Sequence, residues 1–253
     1  MFFMKTSFVF RRALQALLPA TLLLAACGKK DEPAPVPAPD MGKVFVTHAA
    51  AAASNQLTAF INEQQVGQLN YGQSTAYSNV TVGTPPIRIN NGAQVASTQT
   101  LTVAKGQNYS AFIYSPTATI GSTAVLTTTD DLSAPATGAA KVRLVYLGAG
   151  APSPVRLTAP SAIPGAFGAD LTPDVAFGAA SAFVPLNVGP LNLSVTTTGT
   201  TRTQLVVVGD GTGSGTGTKN FESGKIYTIV VRGIEGAGVP TAQRLQAVII
   251  QNN

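Results

Sequence analysis

Lys43-Val44-Phe45-Val46-Thr47-His48 is a short β-prone run, and 98 residues later the chain repeats it as Lys141-Val142-Arg143-Leu144-Val145-Tyr146. Each run opens on lysine, passes through valines and ends on a ring, a composition that suits a strand better than a helix. Working outward from the first run, further β-prone segments lie at 57–61, 74–80, 87–90, 98–103, 108–114 and 124–128, divided by Gly, Pro, Asn and Ser. Asn108-Tyr109-Ser110-Ala111-Phe112-Ile113-Tyr114 alternates apolar with small or polar residues, as a half-buried strand does. Seven short strands in about 90 residues predict a β-sandwich.

The pattern then restarts. Val80-Thr81-Val82-Gly83, followed by Ile87-Arg88-Ile89, returns as Leu186-Asn187-Val188-Gly189 and Leu191-Asn192-Leu193. Lys105-Gly106-Gln107-Asn108-Tyr109-Ser110 returns as Ser223-Gly224-Lys225-Ile226-Tyr227-Thr228, and Ala124-Val125-Leu126 as Ala247-Val248-Ile249. The offset grows from 98 to 118 and 123, as expected of a duplicated domain with longer loops in its second copy. The expected fold is all-β: two tandem β-sandwich domains at 42–131 and 141–253, joined by an Ala, Ser, Pro, Thr and Gly-rich linker at 132–140. A chain that is 45 % apolar and 11 % charged is not kept unfolded by charge, and 25 Gly with 17 Pro supply many turns.

Upstream of the first strand the text changes. Lys5, Arg11 and Arg12 form a positive head, residues 13–26 an apolar core, and Ala25 and Ala26 precede the only cysteine, Cys27. This is the layout of a secretory signal, with an apolar run too short to span a bilayer comfortably and ended by Gly28-Lys29-Lys30-Asp31-Glu32. Leu24-Ala25-Ala26-Cys27 resembles the lipobox of bacterial lipoproteins, which implies removal of residues 1–26 and lipidation of Cys27. A single cysteine also precludes an intrachain disulfide. Residues 27–41 are then the lipidated cysteine and a semi-rigid spacer, with Pro at 33, 35, 37 and 39. Lys30-Asp31-Glu32 resembles the export tag of surface lipoproteins in Bacteroidota; an ordinary charge cluster facing the periplasm is the alternative, so the face of the outer membrane stays open. Without the signal's three basic residues the net charge falls from +5 to +2, and no Lys/Arg cluster with interleaved aromatics suggests a nucleic-acid partner.

The paired strand pattern resembles the bacterial family called domain of unknown function 4397. The resemblance rests on the opening strand ending at His48, the small-residue loop 49–53, the Tyr71-Gly72 to Tyr77 segment, the Val82-Gly83 turn and Gly106 to Tyr109. In the second copy, Ser223 to Thr228 fits best. It implies Ig-like or transthyretin-like sandwiches and an envelope location, and supplies no activity. The family often has His after the first strand and an acid in the second. Here His48 matches the first, whereas Thr58 stands near the acidic position; in the second copy Tyr146 replaces the His and Arg156 lies near the acid.

No catalytic, cofactor or metal constellation stands out. His48 is the only histidine, has no second His or thiol to work with, and is expected in a turn at a strand end. Gly209 to Thr218 has glycine at every second position but lacks the Lys-Ser/Thr ending of a phosphate loop, and Asp210 is its only carboxylate; a mobile hairpin tip is expected. Asp130 and Asp131 are adjacent, so on an extended chain they point to opposite faces. Asp170 and Asp174 sit in a Pro/Gly-rich loop. The favoured function is therefore non-enzymatic, a scaffold or binding and adhesion module of the envelope, anchored through Cys27 and contacting envelope protein or glycan. An envelope hydrolase or carbohydrate-processing enzyme is the alternative, and it requires two of Asp170, Asp174, Asp210, Glu222 and Glu235 to converge in one cleft.

Overall fold

The computed structural model describes residues 38–253. The expected signal peptide at 1–26, the lipobox Leu24, Ala25, Ala26 and Cys27, and most of the spacer lie outside the described residues. The first sandwich comprises β1 (Met41–Ala49), β2 (Leu57–Ile61), β3 (Gln64–Leu69), β4 (Ser78–Thr81), β5 (Pro86–Asn91), β6 (Gln94–Thr100), β7 (Asn108–Tyr114) and β8 (Ala124–Asp130). One sheet runs β4-β1-β7-β8 and the other β3-β2-β5-β6. Val44, Val46, Tyr109, Ala111 and Ile113 of the first meet Leu57, Ala59, Ile87 and Ile89 of the second in one buried core.

Eight strands replace the expected seven. The extra one, β3, turns back from β2 through Asn62 and Glu63, both at positive φ (51° and 61°). That is the twist a two-residue hairpin requires, made here without the glycine that marks such turns in a sequence. The segment at 74–80 is a strand only from Ser78, with Ser74 making a single bridge to Thr47, and β6 starts earlier than expected and ends at Thr100.

The second sandwich comprises β9 (Ala139–Ala149), β10 (Val155–Thr158), β11 (Ala179–Ala180), β12 (Val184–Asn187), β13 (Gly189–Leu191), β14 (Ser194–Thr197), β15 (Gln204–Val207), β16 (Lys219–Phe221), β17 (Ile226–Ile234) and β18 (Gln246–Gln251). Its sheets run β11-β9-β17-β18, with β12 also on β9, and β10-β14-β15; β13 and β16 pair separately. Val142, Leu144, Tyr146, Ile229 and Val231 pack against Val155, Leu157, Leu193 and Val195. β9 opens at Ala139 and Ala140 is buried in this core, so these two residues of the expected linker belong to the strand.

The two halves repeat in register. β1 pairs parallel with β7, placing Val44 opposite Tyr109, and β9 pairs parallel with β17, placing Val142 opposite Tyr227. The Tyr109 hydroxyl accepts from the Ala104 amide at 3.0 Å, and the Tyr227 hydroxyl from the Glu222 amide at 3.1 Å. Two letter-matched repeats shift, however. Val125 lies opposite Ile113 and Ala247 opposite Val231, so Ala247 is the counterpart of Val125 rather than of Ala124. Ile89 lies opposite Ala59 and Val195 opposite Leu157, so Val195 rather than Leu193 corresponds to Ile89. A one-residue slip exchanges the two faces of a strand. Its correction puts Val125 and Ala247 in their cores and turns Leu126 and Val248 the other way.

That other way is toward each other. Ala49 and Phe112 of the first sandwich pack with Val145, Leu147 and Val230 of the second, flanked by Tyr114, Leu126, Val248 and Ile250. The result is four layers, with the β4-β1-β7-β8 and β11-β9-β17-β18 sheets inside. The inner strands are covered on both faces, which is why β17 reads as a nearly unbroken apolar run. The sandwiches are fused face to face along this seam.

Candidate functional site

His48 is fully buried within β1, not in a turn. Its Nδ1 accepts from the Ala50 amide at 3.2 Å and its Nε2 lies 3.0 Å from the Asn55 carbonyl, which together select the neutral tautomer with the proton on Nε2. Tyr146, at the equivalent place in β9, donates to the Pro152 carbonyl at 2.6 Å. Histidine and tyrosine thus do the same work, pinning the loop that follows the first strand. Burial, aided by the Arg232 charge and opposed by the Asn55 bond, lowers the His48 pKa. The folded state therefore binds this proton more weakly than the unfolded chain, whose histidine titrates near ~6.5. Stability from this group is present above that value and lost as pH falls below it. Urea midpoints should decline from pH 7.5 to 5.5, and His48→Gln should flatten that decline.

The acidic candidates separate. Asp130 is buried and Asp131 exposed, on opposite sides of the chain. Lys141, 2.8 Å away, and the Ser133 amide and hydroxyl hold Asp131 at about 2. Asp170 and Asp174 do meet, but on Arg156, and Asp170 is also paired with Arg202. Two guanidiniums occupy the carboxylates that acid–base work would need. Asp210 binds the Thr212 amide and hydroxyl at 2.9 and 2.8 Å, which lowers its pKa. The glycine-rich segment around it is not a free tip: Thr212 bridges Val248, and the Ile249 amide donates to the Gly211 carbonyl at 2.9 Å. Glu222 and Glu235 sit on separate loops, and neither lines the cleft beside Arg232. Among the described residues no cluster of three His, Cys, Asp or Glu is placed to hold a metal ion.

The seam itself carries two arginines. Arg143 projects from β9 with 1 % of its side chain exposed. Its Nη1 meets Asp130 Oδ1 at 2.7 Å and donates to Thr128 at 3.0 Å, Nη2 donates to Ser110 at 3.0 Å and Nε to Thr228 at 2.9 Å. Ser110 and Tyr77 donate to the other Asp130 oxygen at 2.6 and 2.5 Å, and Phe183 covers the guanidinium at 4.4 Å. This is a satisfied ion pair joining the sandwiches, since Asp130 belongs to the first and Arg143 to the second.

Arg232, on β17, lines a cleft of about 210 Å³ along the same seam. Thr47 and Ala49 come from the first sandwich, Val230 and Val248 from the second, and Gly72 and Gly211 from loops at its edge. The guanidinium lies 4.6 Å from the Tyr71 ring, which in turn meets His48 edge-on. Gly72 is at φ +92°, and a Cβ there would fall 2.7 and 2.8 Å from the two Arg232 terminal nitrogens. Only glycine allows that approach. Arg143 and Arg232 carry a signal legible in hindsight: Arg232 is a lone charge inside an apolar strand, and Arg143 a second charge after Lys141 just where its strand turns apolar.

Comparison with known proteins finds a family match over less than half of the chain. Residues 42–154 match DUF4397, a domain of unknown function. The DUF4397 match covers the first sandwich and β9, ending at the cis Ser153-Pro154 bond before β10. Among solved structures, a crystallised protein of Bacteroides eggerthii DSM 20697, described provisionally as a cell adhesion protein, aligns over 85 % of this chain and 96 % of its own, at 13 % identity and a TM-score of 0.25. No curated protein matches the chain. Among the described residues no helix is long and apolar enough to cross a membrane.

Proposed function

We propose that this is a lipid-anchored protein of the bacterial outer membrane, held through Cys27, whose two sandwiches form a non-enzymatic binding or adhesion module for an envelope protein or glycan. The observation that carries the anchor is the Leu24-Ala25-Ala26-Cys27 stretch at the end of a signal-like apolar core, followed by a proline spacer. Each buried methylene of an acyl chain contributes ~0.8 kcal/mol, so several chains on one cysteine hold a protein at a membrane lastingly. In this reading the second sandwich is a second DUF4397-type copy, supported by the matching register of β1/β7 and β9/β17 and by the matching tyrosine bonds. A binding role is supported by the rigid four-layer body with an open cleft on its seam, and by acidic pairs that are engaged by arginine rather than free for catalysis.

Growing cells supplied with a labelled fatty acid should label the wild-type chain. Cys27→Ala should abolish the label and move the protein to the soluble fraction with its β-structure intact by circular dichroism. An unlabelled wild-type chain would overturn the anchor. Binding on arrays of envelope glycans, or to proteins of the outer-membrane fraction, tests the module.

A further inference from the structure

Arg232 differs from the other described arginines. Arg88, Arg143, Arg156 and Arg202 pair with carboxylates, and Arg244 donates to the Val239 carbonyl. Arg232 has neither: its Nε is buried without a hydrogen-bond partner, and burial lowers its pKa with only Tyr71 opposing. The Tyr71 hydroxyl beside it is also buried without a hydrogen bond of ordinary geometry, the Gln246 side chain being its polar neighbour. Leaving such donors unpaired costs stability; Arg202 Nε is unpartnered too, but its guanidinium is paired with Asp170, so among the described arginines Arg232 alone has neither a carboxylate nor a hydrogen bond.

The surroundings fit one use. Tyr71 on one side and Gly72 on another hold the guanidinium plane, so its orientation is fixed before any ligand arrives. The cleft is too small for most cofactors, whose sites run to roughly 300–1,000 Å³, but suits a group the size of one side chain. Apart from Thr47, Thr212 and Arg232 its lining residues are aliphatic or glycine, while most of its accessible surface is polar. A planar fork of N–H donors at such a wall matches a carboxylate. We propose that the seam cleft binds a carboxylate on a short aliphatic stem, through Arg232. This assigns a ligand chemistry to the binding module proposed above and rests on that reading.

The source of the carboxylate is either a free small acid or an acidic side chain of a partner protein. The test uses the full-length protein labelled in its arginine side chains, titrated with sodium propionate and, separately, with a blocked tripeptide bearing a central aspartate. Propionamide and sodium chloride serve as uncharged and ionic-strength controls. Propionate or the tripeptide should shift the Arg232 Nε resonance saturably, and the controls should not. Tighter binding of the tripeptide assigns the site to a partner's side chain; equal or tighter binding of propionate assigns it to a free acid. Arg232→Met should weaken binding about ten- to a hundred-fold while leaving the thermal midpoint unchanged or raised. Arg232→Lys, which keeps the charge but not the fork, should also bind more weakly and guards against a misfolded Met variant. No shift with either acid, equal shifts with propionamide, or undiminished binding by Arg232→Met would overturn the proposal. Array binding that survives Arg232→Met would remove this site while leaving the module reading intact.

Discussion

Arg143→Ala should destabilise the protein by about 3–5 kcal/mol, read as a lower denaturant midpoint. The loss is not the worth of a contact. It arises because Asp130 would remain ionised or be forced to protonate inside the seam, with Ser110, Thr128 and Thr228 each losing a donor. Asp130→Ala should cost a similar amount, since it strands the guanidinium instead. Replacing both, as Arg143→Met with Asp130→Leu, should recover more than half of either loss, because the remaining hydroxyls still have one another and Asn252: Thr228 donates to Asn252 Oδ1 at 2.7 Å, and Asn252 Nδ2 to Tyr77 at 3.2 Å. If the double variant were as unstable as the sum of the single ones, the pair would not be acting as a unit.

Phe112→Ala should cost about 3–5 kcal/mol as well, by a different route. Phe112 is fully buried, but in the cluster between the sandwiches rather than in either core. Its removal opens a cavity against Val145, Leu147 and Val230 and withdraws a ring 5.6 Å from the Arg143 guanidinium. Probes placed in either sandwich should report the same lowered midpoint. A drop confined to the first sandwich would mean the seam does not couple them.

The sequence makes most strands legible, because they are short, rich in β-branched residues and bounded by Gly, Pro and Asn. It also displays a repeated strand pattern, Lys43 to His48 and its echo at Lys141 to Tyr146, and the strands β1 and β9 form at those two places. Three things stay hidden, each for a physical reason. β3 follows a turn whose two residues, Asn62 and Glu63, carry no glycine. The register of β18 depends on its hydrogen bonds to β17, and a match by letters slipped it by one residue and swapped its faces. The seam leaves only a faint local trace, the nearly unbroken apolar run of β17 and the arginines set into β9 and β17. Tyr71-Gly72 is noticed through family resemblance, but its partner Arg232 lies far along the chain and reaches it only once the two inner sheets stack. The same holds for Asp130: adjacency to Asp131 predicts opposite faces, and the structure shows opposite faces, yet only the tertiary packing supplies Arg143. His48 shows how a residue type can suggest chemistry and turn out to hold a loop.

The two sandwiches are one body, joined by a buried seam that carries both the Arg143–Asp130 pair and the Arg232 cleft. A calorimetric scan of the purified protein tests it most directly. One transition, with equal calorimetric and van't Hoff enthalpies, is the predicted result. Two resolved transitions, each with the enthalpy of a single sandwich and each unmoved by Arg143→Ala in the other's range, would contradict it.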